Sequence, residues 1–240
     1  MYQPRFYRLW SREKDLVSFN VTLKETDLLV SACRNLSRKT YKLVRKYRAG
    51  IEKYIKNNPA FLTTFKPYKI KDTAPEIVKR MVTETEKAGV GPMASVAGAI
   101  AEFVGFDLLK SSDEIIIENG GDIFVKTLKP RIIGIYAGKS KFSGKIGLEI
   151  KPESTPLGIC TSSGTVGHSL SFGKTDATIV IANSSSLADA CATAVGNIVR
   201  DPESLVKGTD FAKSIKGIKG MIIIINNKIS IWGDIKLVEI

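Results

Sequence analysis

A run of apolar residues at 177–182 leads directly into a polar turn and then a segment of small, helix-forming residues at 183–197. The first run predicts a buried strand and the second a helix. On that helix Asp189 and Thr193 are four residues apart and project from one face, where they could hold a hard cation or orient a phosphate. Spacing alone favours a simpler alternative, a capping box formed by Ser186 and Asp189, with the Thr193 hydroxyl bonded to the carbonyl one turn earlier.

Length and composition indicate a folded protein of one domain. The 240 residues, 43% of them hydrophobic, predict a single domain at 1–240, with a basic helical part at about 24–58 and a β-rich, site-bearing part at about 112–240. The order of short strands and helices predicts an α+β fold with mixed, mostly antiparallel sheets packed against helices.

The lengths of the apolar segments and the spacing of the cysteines indicate the cellular compartment and the kinds of metal or disulfide site that can be expected. No apolar run reaches membrane-spanning length and the first residues do not resemble a signal peptide, so we expect a cytoplasmic protein without membrane association. Cys33, Cys160 and Cys191 are odd in number and far apart, which predicts neither a disulfide framework nor a cysteine metal site. His168 is the only histidine, which excludes a His-rich metal site within one chain.

Hydrophobic periodicity and turn residues predict the order of the elements. A long helix is expected to begin at Thr26 and end near Asn57, and residues 60–72 are expected to be irregular. Residues 89–95 enter a helix N-terminus, a natural site for an anion. The other predicted helices are 75–87, 93–109, 186–199 and 201–216, and the predicted strands are 6–10, paired with 16–21, then 114–118, 123–128, 131–136, 146–150, 158–161, 176–183, 221–225, 229–232 and 235–238.

The positive charge is concentrated in the first third of the chain. Residues 1–80 contain 19 Lys and Arg against 7 Asp and Glu, which accounts for the whole formal charge of +12. A basic stripe on the predicted helix at 34–56 has several interpretations: a solvated face, a surface that attracts an anionic substrate, or a docking site for an acidic protein. Nucleic acid is disfavoured, because no helix-turn-helix, zinc-finger or RNP pattern accompanies the stripe.

Two further segments of small and polar residues interrupt the β-rich part. In the first, Gly120 and Gly121 allow a backbone to approach a ligand and Asp122 can accept hydrogen bonds from it, although an ordinary hairpin turn has the same pattern. The second segment, 160–171, offers hydroxyl and backbone N–H groups to a phosphate, and His168 is its candidate acid–base residue. Its candidate binding residues are Thr161, Ser162, Ser163 and Gly164.

Taken in order, these motifs resemble the ApbE superfamily of flavin transferases. They are E-N-G-G-D-I at 118–123, G-I-C-T-S-S-G-T-V-G-H-S at 158–169 and S-L-A-D-A-C-A-T-A-V-G-N at 186–197. G-V-G-P-M-A-S-V-A-G at 89–98 fits the same pattern. The whole set is most similar to a shorter prokaryotic branch with the status of an uncharacterised protein family.

The resemblance implies an ApbE-like fold related to the T-fold, with a ligand site in the β-rich part. It implies Mg²⁺ at Asp189 and Thr193, and FAD or another nucleotide along Gly120, Gly121, Asp122, Ser163 and Gly164. In the transferases an FMN moiety moves to a Thr of an acceptor protein.

The chain also departs from the transferase pattern. It is shorter, has no export signal, lacks the Asp-Pro-x-Thr-Gly run after the histidine and carries the additional basic helix. The alternative function is therefore a non-catalytic accessory protein, which the resemblance to the shorter branch links to sulfur assimilation and homocysteine formation. The oligomeric state and a sulfur-carrying role for Cys160 or Cys191 are left open, with a homo-oligomer among the alternatives.

Overall fold

A computed structural model describes residues 15–70, 73–165 and 173–240, and in these ranges the chain forms two antiparallel sheets and six helices. The helices are α1 (Ser37–Asn57), α2 (Ala60–Thr63), α3 (Glu76–Ala88), α4 (Val96–Leu109), α5 (Ser185–Ile198) and α6 (Leu205–Ser214). The strands are β1 (Val17–Leu23), β2 (Thr26–Ala32), β3 (Ile115–Asn119), β4 (Asp122–Lys126), β5 (Arg131–Gly134), β6 (Ile146–Ile150), β7 (Leu157–Ser162), β8 (Ala177–Ala182), β9 (Ile218–Ile225), β10 (Lys228–Gly233) and β11 (Lys236–Glu239). The predicted α+β class is confirmed.

The large sheet has the order β1-β2-β3-β4-β7-β8-β9-β10, and its centre is covered on both faces. Successive residues of β8 and β9 alternate between two cores, as the twofold repeat of a strand requires. Val180 and Ile223 pack with α5 and α6, whereas Ile179, Ile222 and Ile224 pack under the small sheet of order β11-β6-β5. Burial of both faces explains why these strands read as continuous apolar runs rather than as alternating ones.

Helix α5 lies at the centre of the helical layer, where it contacts α3, α4, α6, β7 and β8. Glycines permit the closest of these approaches. A Cβ atom at Gly158 of β7 would lie 2.3 Å from Ser185 Cα, and one at Gly98 of α4 would lie 2.3 Å from Ser185 O. These distances are below any normal van der Waals contact, so only glycine fits either position. In the predicted helix at 93–109, the small residue Gly98 therefore serves helix packing.

The segment Pro92–Leu109 is apolar enough, with a mean hydropathy of 1.4 over 18 residues, to cross a membrane by length and composition alone. In the fold 56% of this segment is buried, and α4 packs on α1, α5, β3 and β4. This placement is typical of the central helix of a folded core.

The N-terminal part differs most from the sequence prediction. Thr26 does not begin a helix but opens β2, which pairs with β1 and β3, and the helix begins only at Ser37. Residues 26–32 contain four apolar residues and no Gly or Pro, and periodicity cannot separate so short a segment from part of a buried helix. The part at about 24–58 is therefore helical only from Ser37. The predicted strand at 6–10 lies outside the described residues.

Most other predicted elements are confirmed to within a few residues, with two corrections. Residues 60–63 form the short helix α2 rather than irregular structure. The strand predicted at 235–238 exists as β11, but it pairs with β6 in the small sheet instead of continuing beyond the β9–β10 hairpin.

Candidate functional site

The N-terminus of α5 is capped from within the protein. Ser184 is the N-cap residue, and its side chain accepts a hydrogen bond from Leu187 N. The buried carboxylate of Glu102, on α4, accepts hydrogen bonds from Ser184 Oγ at 2.5 Å and from Ser186 N at 2.9 Å. The predicted capping box of Ser186 and Asp189 is therefore wrong, because Ser184 and Glu102 already satisfy these donors.

Asp189 instead caps a different helix. Its Oδ2 accepts a hydrogen bond of 2.9 Å from Gly98 N in the first turn of α4, and Ala97 N also donates to this carboxyl group. The anion predicted at the helix entered by 89–95 is thus a side chain of the protein itself. Thr193 lies one turn further along α5 and is half-buried, as is Asp189.

Asp122 begins β4 directly after a tight turn, and its carboxyl group is left incompletely paired. The residue is only 7% exposed, and its Oδ1 has no hydrogen-bond partner among the described residues. Burial raises the pKa of Asp122 well above its ordinary value, and the nearby charge of Asp189 raises it further. Hydrogen bonds from the Cys160 thiol and the Thr161 backbone oppose this rise without cancelling it.

The carboxyl groups of Asp122 and Asp189 form an acidic pair. Burial raises the pKa of Asp189 to about 7, although the N–H groups of Gly98 and Ala97 favour its charged form. The charge of Asp189 disfavours ionisation of Asp122. Burial thus favours the protonated form of both carboxyl groups, and a bound cation would favour their charged forms.

The thiols of Cys160 and Cys191 are buried, whereas Cys33 is exposed. Cys160 pairs with Asp122 across β4 and β7, and its Sγ lies 3.2 Å from Ser185 O. Burial raises the pKa of Cys160 well above the ordinary value, and the charges of Asp122 and Asp189 raise it further. Burial alone raises the pKa of Cys191 to about 12. Since the thiolate is the reactive form of cysteine, neither group is poised as a nucleophile.

The predicted glycine turn has the geometry that brings Asp122 into place. Asn119 and Asp122 are paired, and Gly120 and Gly121 between them have φ values of 71° and 100°. Positive φ at both positions is typical of a type I′ hairpin turn. Gly121 N donates a hydrogen bond of 2.8 Å to Glu118 Oε1. The turn is therefore an ordinary hairpin that also positions an acidic residue.

The predicted phosphate-binding segment follows the end of β7. Thr161 of β7 lies next to Gly121. Gly164 N donates a hydrogen bond of 2.9 Å to Thr175 O. Ser162 and Ser163 are half-buried and Gly164 is exposed. Gly164 packs on Gly173, which packs on the carbonyl of Gly196 near the end of α5. His168 lies outside the described residues.

The fold thus brings Asp122, Asp189 and the Gly121–Thr161 contact to one end of β4 and β7, beside α5. Within the described ranges no group of three or more His, Cys, Asp or Glu side chains is placed to hold a metal ion. Sequence reasoning missed Glu102 and the backbone of Gly98. Glu102 could have been noticed as the single carboxylate within the otherwise apolar segment 96–106. A groove of about 460 Å³ lies elsewhere, between β1 and α1.

The architecture is that of the solved flavin transferases. It aligns with the apo flavinyl transferase ApbE of Pseudomonas stutzeri over 90% of this chain and 93% of that chain, with a TM-score of 0.59 and 14% identity. A variant of the flavin transferase ApbE of Vibrio cholerae aligns over 90% of this chain and 96% of that chain, with a TM-score of 0.58 and 15% identity. At such identities the likeness shows a shared fold.

Sequence similarity then gives the family. The chain belongs to the AbpE_bact family, described as "AbpE bacteria", whose model matches residues 8–216. It is 44% identical over 221 residues to the UPF0280 protein MJ1526 of Methanocaldococcus jannaschii, with 90% of each chain covered. It is also 44% identical over 218 residues to a UPF0280 protein of Methanococcus vannielii, with 87% of each covered. The resemblance predicted from the motifs is confirmed for the superfamily and for its shorter branch.

Proposed function

We propose that this protein is a divalent-cation-dependent transferase that acts on a flavin dinucleotide bound beside Asp122 and Asp189. The observation that carries the proposal is Asp122 Oδ1, a buried carboxylate oxygen without a partner among the described residues. A buried acid in this state, next to a second acid, is stabilised by a cation or by a polar ligand group. The shared fold with proteins named flavin transferases supplies the substrate class.

The available donors fit Mg²⁺. This ion prefers oxygen ligands and is usually held by one or two carboxylates together with substrate phosphates. Asp189 and Thr193 offer one carboxylate and one hydroxyl from successive turns of α5. The phosphates of the dinucleotide would complete the coordination, which fits the lack of a larger acidic or His/Cys cluster in the described ranges. A cation held there would stabilise negative charge on the departing phosphate.

The remaining residues of the site would bind and orient the substrate. Asp122 would accept a hydrogen bond from a ribose hydroxyl or an amine of the ligand. The positive φ values of Gly120 and Gly121 leave room for a ligand to approach the backbone. Thr161, Ser162, Ser163 and Gly164 would donate to phosphate oxygens, and His168 would serve as the acid–base residue. An acceptor hydroxyl would form a P–O bond to the FMN phosphorus while AMP departs with the electrons of the broken bond.

Thermal unfolding with FAD and Mg²⁺ tests this function without requiring an acceptor protein. A ligand at about 100 times its Kd adds about 2.7 kcal/mol to the free energy of unfolding. Asp189→Asn and Thr193→Val should remove the Mg²⁺-dependent part of that gain. Asp210→Asn is the matched control, because Asp210 is an exposed acid on α6 paired only with Lys213 among the described residues.

Two outcomes would contradict the proposal. One is the absence of any stabilisation by FAD or FMN in the presence of Mg²⁺. The other is an equal Mg²⁺-dependent gain in the free energy of unfolding for Asp189→Asn and for the control, which would show that the cation binds elsewhere. Failure of flavin binding would leave the non-catalytic accessory role as the better hypothesis.

A further inference from the structure

Asn119 is a buried amide at a position where its hairpin does not require one. It is the last residue of β3 and is 6% exposed. The turn that follows needs positive φ values only at Gly120 and Gly121, which glycine supplies. Asparagine is also depleted in strands, because its side chain competes for backbone hydrogen bonds. The reason for this side chain therefore lies in a contact outside the hairpin.

That contact is with the first turn of α4. Asn119 Nδ2 donates a hydrogen bond of 3.0 Å to Ala97 O. In the first turn of an α-helix the carbonyl groups accept bonds from within the helix, and only the N–H groups are left without a partner. Helix α4 therefore does not need a donor at Ala97 O, and the bond instead joins the β3–β4 hairpin to the helix.

The bond ends on the same peptide group that holds Asp189. Ala97 O and Gly98 N belong to one peptide unit, and Gly98 N donates a hydrogen bond of 2.9 Å to Asp189 Oδ2. A trans peptide unit is planar, with its C=O and N–H groups on opposite sides. Asn119 and Asp189 therefore bind opposite edges of one rigid plane, and a tilt of that plane would disturb both bonds. Hydrogen bonds in such a chain also polarise one another, so the bond from Asn119 strengthens the donor that faces Asp189.

Asn119 is also fixed relative to the second acid of the site. It is the strand partner of Asp122 across the tight turn. The backbone of Asp122 is thus held to Asn119 by the hairpin, and the carboxyl group of Asp189 is held to Asn119 by the 97–98 peptide unit. One side chain therefore links the supports of both carboxyl groups.

From this geometry we propose that Asn119 is a positioning residue, which fixes the Asp189 carboxyl group through the 97–98 peptide unit and sets its place relative to Asp122. The consequence for cation binding rests on the proposed function, whereas the positioning itself does not. Asn119 acts through the backbone of α4 and contacts neither the cation nor the substrate.

Hydrogen exchange of backbone amides, measured by NMR on the full chain, tests the positioning. Asn119→Ala should accelerate exchange of the Gly98 amide about fivefold or more, because one hydrogen bond contributes about that factor to a local equilibrium. The amide of Phe103, in the middle of the same helix, is the internal reference and should not change. Asn119→Leu removes the donor while it fills the space, so it should give the same result without a cavity.

Asn58→Ala is the matched control. Asn58 Nδ2 donates a hydrogen bond of 3.1 Å to Tyr54 O, so this residue is also a side-chain amide bonded to a helix carbonyl. It lies at the C-terminal end of α1, away from both acids. Exchange of the Gly98 amide should be unchanged in this variant.

The affinity for Mn²⁺ separates positioning from a general loss of stability. Asn119→Ala with bound FAD should bind Mn²⁺ about fivefold or more weakly by EPR, below the tenfold or larger loss typical for groups bonded directly to a metal ligand. The affinity for FAD without a cation should not change, whereas a general loosening of the site would weaken both.

The outcomes distinguish this role from the proposed function. A wild-type protein that binds no FAD would contradict the proposed function alone, and the exchange of the Gly98 amide would still decide the role of Asn119. Exchange that is unchanged in both Asn119 variants, or accelerated equally in Asn58→Ala, would overturn the positioning role. An unchanged Mn²⁺ affinity of Asn119→Ala, in a protein that binds FAD, would overturn it as well.

Discussion

Asp189 and Glu102 exchange helix caps across the contact between α4 and α5. The Asp189 carboxylate, on α5, accepts a hydrogen bond of 2.9 Å from Gly98 N in the first turn of α4. Glu102, on α4, accepts one of 2.9 Å from Ser186 N in the first turn of α5. Each acid therefore satisfies orphan N–H groups of the other helix and lies at the favourable end of its dipole. The candidate site is built on this crossing.

Adding a methyl group at the crossing should disrupt it. In Gly98→Ala the new Cβ would lie 2.3 Å from Ser185 O and 2.8 Å from Asp189 Cβ. We expect a loss of about 1–3 kcal/mol in the free energy of unfolding, because overpacking outweighs the better helix propensity of alanine. Gly50→Ala is the control: its Cβ would meet nothing closer than Pro75 Cβ at 3.7 Å, so it should gain about 0.5–1 kcal/mol. Urea unfolding measures both, and a Gly98→Ala protein as stable as the wild type would refute the crossing.

Removing the other cap should also be costly. In Glu102→Ala the buried donors Ser184 Oγ and Ser186 N lose their acceptor, which we expect to cost about 2–3 kcal/mol in urea unfolding. Glu102→Gln keeps one acceptor oxygen and should lose less. Glu86→Ala, at an exposed position of α3, should change stability by about 0.5 kcal/mol or less. Equal losses at Glu102 and Glu86 would show that the cap contributes nothing.

The acidic pair predicts an unusual dependence of stability on pH. Because the pKa of Asp189 rises from 3.8 to about 7 on folding, the folded state binds more protons than the unfolded state between these values. The free energy of unfolding without ligand should therefore decrease as the pH rises from about 4 to about 7, by an amount of the order of a few kcal/mol. Asp189→Asn should make this part of the profile shallower, with Asp122 contributing the remaining slope, and Asp210→Asn should leave it unchanged. A wild-type profile that is flat or rising over that range would contradict the raised pKa.

An ion-pair cluster around Arg131 predicts the opposite dependence of stability on pH. Arg131 is 4% exposed and contacts Glu114 Oε2 at 2.9 Å and Asp15 Oδ1 at 2.6 Å. Burial by itself would raise the pKa of Glu114, but hydrogen bonds from Thr127 and Leu128 and the Arg131 contact lower it below its ordinary value. This stabilisation is present above the unfolded pKa and is lost as the pH falls through the folded one.

Arg131→Met would leave Glu114 as an uncompensated buried charge. We expect a loss of about 3–5 kcal/mol at pH 7, and a smaller loss at pH 3, where Glu114 accepts a proton. Lys129→Met is the control, since Lys129 is exposed and its contact with Asp15 is a surface pair of little energetic weight. Chemical unfolding at the two pH values measures the difference, and equal losses at both would exclude the pairing as the cause.

The sequence predicted the elements whose periodicity or turn residues are local. Gly120 and Gly121 have the positive φ values that their turn requires, and the run 177–182 is a strand buried on both faces. The helix expected from Thr26 failed because residues 26–32 form a local hairpin with β1 and pair with the distant strand β3, and the second pairing is a long-range property. The role of Glu102 also depends on a distant partner, Ser186, and no local pattern contains it. The motifs that contain Asp122 and Asp189 are each weak indicators of a site. Only their combination places the two residues in one predicted site.

The pairing of β11 with β6 has a consequence for biosynthesis. Lys236 of β11 lies opposite Glu149 of β6, so the two strands are made far apart in time on a ribosome. A nascent chain that ends before β11 has no partner for that edge of β6, and the cover over Ile222 and Ile224 remains unfinished. Since translation adds about 5–20 residues per second, this edge of β6 stays without its partner for seconds after β6 emerges. During that interval the nascent chain offers an unprotected strand to chaperones and to neighbouring chains.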